Sequence, residues 1–191
     1  MLPRQRQRAE GRDPMTQLAS MAAVLYEDGG FCDLLLAGLA QSFKKEGLRL
    51  AGVVQTNERY DALCACDMTL NDLTSGRDIR ISQRLGQYAR GCRLDSSALT
   101  EAVGLVDAGL SAGADLLILN KFGKTESSGG GFRPVIARAL ELGVPVLVGI
   151  SQANLPAWME FTGGEAMVLP PLDVAVRGWL HGLAAPERAS A

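Results

Sequence analysis

Four short apolar runs punctuate the chain: Met21–Tyr26, Leu50–Val54, Ala114–Leu119 and Val144–Ile150. Each has the length and the Val/Leu/Ile content of a buried strand. Between them apolar positions recur at helical spacing. Residues 32–46 set Leu35, Leu36, Leu39 and Phe43 on one stripe, and Gly47 supplies a stop. Asp95-Ser96-Ser97 reads as the cap of a helix running to about Ala112, with Glu101 near its first turn. Phe132–Leu142 reads as a helix ended by Gly143, Pro156–Phe161 as a short helix and Leu172–Leu183 as the last one. Residues 62–70 and 77–83 have β character, and Asp72-Leu73-Thr74-Ser75-Gly76 between them reads as a hairpin turn.

The segment 21–54 is therefore strand, turn (Glu27-Asp28-Gly29-Gly30), helix, strand. This is a βαβ unit, which builds a parallel sheet by a right-handed crossover. The whole pattern predicts a three-layer α/β fold with a mostly parallel sheet and an inserted β-hairpin. Ligands in such folds bind at the carboxyl ends of strands. Here those ends lead into loops 27–33, 120–131 and 151–155, the middle one long and polar.

With 191 residues the chain is one domain's worth. At 47% apolar and 21% charged residues it can build an ordinary core. The net charge of -2 argues against a nucleic-acid or membrane surface as the main partner. No apolar run is long enough to span a bilayer. Residues 1–18, with Arg4, Arg6, Arg8 and Arg12, read as a disordered extension, 19–185 as the domain and 186–191 as a disordered tail. With no signal peptide, a cytoplasmic location and reduced thiols are expected for Cys32, Cys64, Cys66 and Cys92.

Four ordered elements resemble the small P-loop nucleoside-triphosphatases related to the RecA-like kinases. They are Val53-Val54-Gln55-Thr56-Asn57-Glu58-Arg59, Leu73-Thr74-Ser75-Gly76, Asn120-Lys121-Phe122-Gly123-Lys124-Thr125-Glu126, and Phe132-Arg133 followed by Pro145-Val146-Leu147. A bacterial family related to these enzymes, often labelled as molybdenum-transporter ATP-binding proteins, is closer still. Its signatures resemble Cys66-Asp67-Met68, Ile81-Ser82-Gln83, Gly91-Cys92-Arg93-Leu94-Asp95, Asn120–Glu126 and Gly129–Arg133. The resemblance implies a P-loop fold and a ligand that is a nucleotide or a molybdate-like oxyanion.

The resemblance also shows what has changed. In a working phosphate loop, G-x-x-x-x-G-K-[ST], backbone amides cradle phosphate, the lysine reaches the terminal phosphates and the hydroxyl holds Mg²⁺. Alignment of the helix leucines places Gly30 at the last glycine, Phe31 at the lysine and Cys32 at the hydroxyl. Asn120 stands where the strand-end aspartate would be, and a neutral amide is a poorer partner for a Mg²⁺ water. Both phosphate-loop and metal-carboxylate motifs are thus degenerate, and Mg²⁺ binding is disfavoured. The amides of Gly29, Gly30, Phe31 and Cys32 are still an anion site in outline, or simply a turn between strand and helix. Positive charge has gathered instead at Lys121, Lys124 and Arg133, beside Gly129-Gly130-Gly131. That loop is either the anion site or a solvated surface loop. Arg93 is a further bidentate anion donor, or a structural partner of Asp67 or Asp95. Cys66 and Cys92 are either a thiolate pair for a soft metal or small buried residues.

Three functions stay open at this point. One is a non-hydrolytic accessory protein that binds a nucleotide or oxyanion, in molybdenum metabolism. The second is an enzyme, a nucleoside-triphosphatase or kinase using Lys121 or Lys124 as a displaced phosphate lysine and Glu126 as catalytic base. The third is a protein-interaction module on a degenerate P-loop fold.

Overall fold

The computed structural model describes residues 20–58, 67–83 and 94–184. The segments read above as a disordered extension (1–18) and tail (186–191) lie outside these, as do residues 19 and 185 at the domain's margins. The described elements are β1 (Met21–Tyr26), α1 (Gly29–Lys45), β2 (Leu50–Glu58), β3 (Asp67–Asp72), β4 (Asp78–Arg80), α2 (Ser96–Ala112), β5 (Leu116–Phe122), α3 (Lys124–Ser127), α4 (Arg133–Glu141), β6 (Val146–Ser151), α5 (Leu155–Phe161), β7 (Met167–Leu169) and α6 (Asp173–Ala184).

All seven strands join one sheet in the order β4-β3-β2-β5-β6-β1-β7. The four strands expected from apolar runs pair in parallel with one another, and β7 adds a parallel edge. The β3–β4 hairpin is antiparallel and extends the opposite side. Its turn is held by Asp72, whose Oδ2 accepts hydrogen bonds from the amide and hydroxyl of Ser75, and Gly76 takes φ +74°. The sheet is the expected P-loop-type, mostly parallel one with its hairpin.

Strand alternation sorts the core onto two faces. Ala22, Val24, Leu116, Ile118 and Leu147 face α1 and α6, against Leu36, Leu39, Phe43, Val176 and Trp179. Ala23, Val53, Leu117, Leu119 and Val148 face α2, α4 and α5, against Val106, Leu110, Ile136 and Trp158. Two glycines allow unusually close approach. At Gly52 (φ +112°) a Cβ would fall 1.9 Å from the carbonyl oxygen of Ile118. At Gly149, on central β6, it would fall 2.9 Å from Cys32 Sγ.

Several details differ from the sequence reading: β2 runs past Val54 to Glu58, and residues 62–66 of the segment read as the first hairpin strand lie outside the described residues. β5 continues past Leu119 to Phe122, and the polar loop beyond it contains α3. α1 begins at Gly29 rather than at Cys32, because Asp28 caps it through a hydrogen bond from the Gly30 amide. β7 was not expected: it is three residues long and two of them, Met167 and Val168, are exposed, so it carries no apolar run.

Candidate functional site

The site is built where α1 begins and β5 ends. The two strands concerned, β1 and β5, flank β6, so their tips lie about 10 Å apart at ordinary strand spacing. Gly149 between them has no side chain, and Cys32, Leu36 and the Asn120 amide come together over it. At the tip of β5 the register with β6 shifts between Leu119 and Phe122, and the Asn120–Lys121 peptide is cis.

Asn120 and Lys121 both reach α1, and both meet Asp33. Asn120 Nδ2 donates to Asp33 Oδ1 at 2.9 Å, and Lys121 Nζ is 3.2 Å from the same oxygen. Asp33 and Asn120 are buried and Lys121 is mostly so. The ammonium is also 5.6 Å from the centre of the Tyr26 ring, within cation–π range. A Cβ on Gly29 would be 3.2 Å from it. A lysine from β5 thus fills the space beside the first turn of α1. Asn120 Oδ1 is buried and accepts no hydrogen bond among the described residues.

The acidic and apolar surroundings act on the neighbouring titratable groups. Burial pushes the Cys32 thiol up to about 12; the Asp33 carboxylate adds to the rise and Lys121 opposes it. Burial also raises the Tyr26 phenol to about 12, with Cys32 and Asp33 contributing. A buried, protonated thiol of this kind is a poor nucleophile at neutral pH.

The turn itself is closed. The Gly30 amide donates to Asp28 Oδ1 at 2.8 Å, and the Cys32 amide to the Asp28 carbonyl at 3.2 Å. Two of the amides expected to face an anion are therefore engaged by Asp28. Phe31, at the position of the phosphate lysine, is half exposed.

Glu126 is buried in the loop after β5, and both of its oxygens are used. Oε2 accepts from the Gly123 amide at 2.9 Å and Oε1 from the Phe132 amide at 3.1 Å. Gly131 (φ +59°) makes room for it, since a Cβ there would lie 1.9 Å from Oε1. Arg133 stacks on Phe161, its guanidinium 4.3 Å from the ring centre, and donates to the Glu126 carbonyl at 3.4 Å. Phe161 belongs with Phe122 and Trp158 to an aromatic cluster beneath the loop. Lys124 is exposed and has no ion-pair partner among the described residues.

On the face opposite α1, this loop forms one wall of a cavity of about 690 Å³. Gln55 and the hairpin residues Met68, Leu70 and Ile81 form another wall, and Leu94 and Leu99 at the start of α2 a third. Asn120, Lys121, Lys124 and Glu126 all border it. The structure thus sets Asn120, Lys121, Lys124 and Glu126 along one cavity, with the polar ends of Asn120 and Lys121 turned to Asp33 on α1. Gly29, Gly30 and Cys32 lie on the other side of β5, joined to that cavity through Lys121 and Asp33, and Arg133 turns toward Phe161. Arg93, Cys66 and Cys92 lie outside the described residues.

Asp33 and Tyr26 are absent from the sequence-derived set. Asp33 had a signal: it lies three residues before Leu36 and seven before Ala40, so a carboxylate stands on the apolar stripe of α1. A charge there requires a partner. Tyr26 had none, as it ends an ordinary apolar run.

Among the described residues no helix is long and apolar enough to cross a membrane. The chain is 36% identical over 159 residues to the Molybdenum import ATP-binding protein ModC 2 of Bradyrhizobium diazoefficiens. The similar stretch takes in 83% of this chain and 18% of that protein, so the chain spans less than a fifth of that relative's length. No solved structure matches it. The family model described as Protein of unknown function (DUF2478) matches residues 21–179, from the first strand into the last helix, and the chain belongs to that family.

Proposed function

We propose that this domain binds a small anionic ligand, a nucleotide or an oxyanion, without hydrolysing it, and serves as an accessory in molybdenum handling. The observation that carries the reading is the Lys121–Asp33 pair. It puts an internal cation beside the turn where the resembling enzymes hold phosphate, and it engages the nearest buried carboxylate. With Asn120 at the strand end, no carboxylate there is left to hold a Mg²⁺ water. Lys124 supplies a cation at the rim of the cavity. The molybdenum context rests on the printed name of the relative.

The hydrolytic reading is weaker because Glu126, its base, already accepts two backbone amides. A base must reach the proton it abstracts. A protein-interaction role draws support from Phe31 and Leu34, exposed one turn apart on α1. A purified protein that binds no anion and co-purifies with a single protein would favour it.

The test is a thermal-shift panel of ATP, ADP, GTP, molybdate, tungstate, sulfate and phosphate, paired with a phosphate-release assay. A ligand that binds only the folded state must raise the melting temperature. The reading requires a shift with at least one anion and no release of phosphate. Release with Mg²⁺ at rates near one per second, the low end for ordinary enzymes at roughly 1–10³ per second, would replace it with the enzymatic one.

A further inference from the structure

We infer that the cavity between the β3–β4 hairpin, the start of α2 and the 123–132 loop takes an organic anion: a flat heteroaromatic ring carrying a phosphate or carboxylate, rather than a bare tetrahedral oxyanion. This rests on the anion-binding reading above and names the ligand class and the face of the sheet.

Size is the first ground. The cavity measures about 690 Å³, within the range of roughly 300–1,000 Å³ typical of organic-ligand sites. A tetrahedral oxyanion displaces only a few waters, at about 30 Å³ each, and would leave most of that space unfilled.

The second ground is the chemistry of the walls. Met68, Leu70, Ile81, Leu94, Leu99 and Phe132 present hydrocarbon. A dianion set against such walls gives up its hydration and gains no donor in return. A ring set there gains burial of its own apolar surface. The polar groups are few: the Gln55 amide, Thr125, Ser128 and Lys124 at the rim, while Glu126 is engaged by two backbone amides and Asn120 and Lys121 turn to Asp33. An amide suits the hydrogen-bonding edge of a heterocycle, and an ammonium suits its acidic substituent.

The third ground is position. These apolar residues belong to the core face that packs α2, α4 and α5. The phosphate-loop helix packs on the opposite face, where Asp28 and Lys121 already fill the turn. The site is therefore distinct from the nucleotide site that the P-loop resemblance implies.

Isothermal titration of the full chain at one fixed salt concentration tests this with AMP, GMP and FMN as ring-bearing anions, adenosine as a ring without the acid, and phosphate and molybdate as acids without the ring. At least one ring-bearing anion should bind tenfold or more tighter than adenosine, phosphate and molybdate. Met68→Trp, which fills the cavity from a partly exposed position, should weaken that ligand tenfold or more and leave any binding of phosphate unchanged. If Met68→Trp does not retain the wild-type circular dichroism, Leu99→Phe serves in its place. Phosphate or molybdate binding as tightly as every ring-bearing anion would overturn the inference and leave the anion-binding reading standing. An unaltered affinity in both filled variants would also overturn it. Failure of all six compounds to bind would overturn both.

Discussion

Lys121 Nζ and Asp33 Oδ1 stand 3.2 Å apart, and the Asn120 amide donates to that same carboxylate oxygen. The pair ties the tip of β5 to the first turn of α1 across β6. Because Asp33 is buried, loss of Lys121 leaves its charge without the ammonium beside it. Lys121→Met should lower stability by about 3 kcal/mol, the lower end for breaking a buried pair. Asp33→Asn in the same background should recover part of this. Urea unfolding of the four proteins at pH 7 gives the coupling energy, and a value below about 0.5 kcal/mol would show the pair to be independent.

The Cys32 thiol predicts an alkaline weakness. Its folded pKa is raised by burial to about 12, from 9.0 in an unperturbed thiol. The stabilisation tied to the neutral thiol is complete below pH 9 and is lost as pH rises from there toward 12. The slope approaches about 1.4 kcal/mol per pH unit, the limit for one proton. Tyr26 adds a similar loss above its ordinary value of 10.0. Cys32→Ala should flatten the profile between pH 9 and 10. Parallel stability curves for the two proteins over that interval would rule the thiol out as the source.

Glu126 should matter to stability more than to any proton transfer. Glu126→Gln keeps one acceptor for the two amides and turns an NH₂ toward the other, at a cost of about 1–3 kcal/mol. Gly131→Ala should be at least as damaging, since its Cβ would overlap Oε1 and its φ is positive. Denaturation midpoints check both. A Glu126→Gln protein as stable as wild type would return the carboxylate to the list of available bases.

ATP turnover should be negligible in the wild-type protein. Phe31→Lys with Cys32→Thr and Asn120→Asp should not by itself restore it, because Glu27 and Asp28 keep negative charge at the turn and Asp28 keeps the Gly30 amide. A malachite-green assay with and without Mg²⁺ decides this. Fast turnover in the triple variant would show that the closed turn opens readily.

Lys124→Ala should weaken whichever anion binds by roughly tenfold, about the worth of one charge-assisted hydrogen bond. Lys44→Ala, in the last turn of α1 and exposed, should have no effect. Calorimetry at constant salt separates the two, and equal affinities for Lys124→Ala and wild type would remove Lys124 from the site.

Much of the sheet was legible because its central strands are covered on both faces, so that β1, β2, β5 and β6 read as unbroken apolar runs. β7 was not, because an edge strand with exposed Met167 and Val168 needs no such run. The continuation of β5 through Asn120 and Lys121 was hidden for a related reason. Both side chains are polar, and what allows them at a strand end is Asp33, on a helix far away in sequence. Lys121 and Lys124 were found as a local excess of charge. Sequence spacing could not say that one would turn inward to α1 and the other remain at the cavity rim. Glu126 was legible as a carboxylate near the site, but its two amide donors depend on how the chain returns at Phe132, which no local pattern states.

Those two donors make Glu126 a clasp. Gly123 and Phe132, at opposite ends of the loop, are bound to one carboxylate, much as a crosslink would join them. The wall that this loop gives the cavity is therefore ordered before anything arrives. A molecule settling against it meets a preorganised surface, and its association carries a smaller entropic penalty for immobilising that loop.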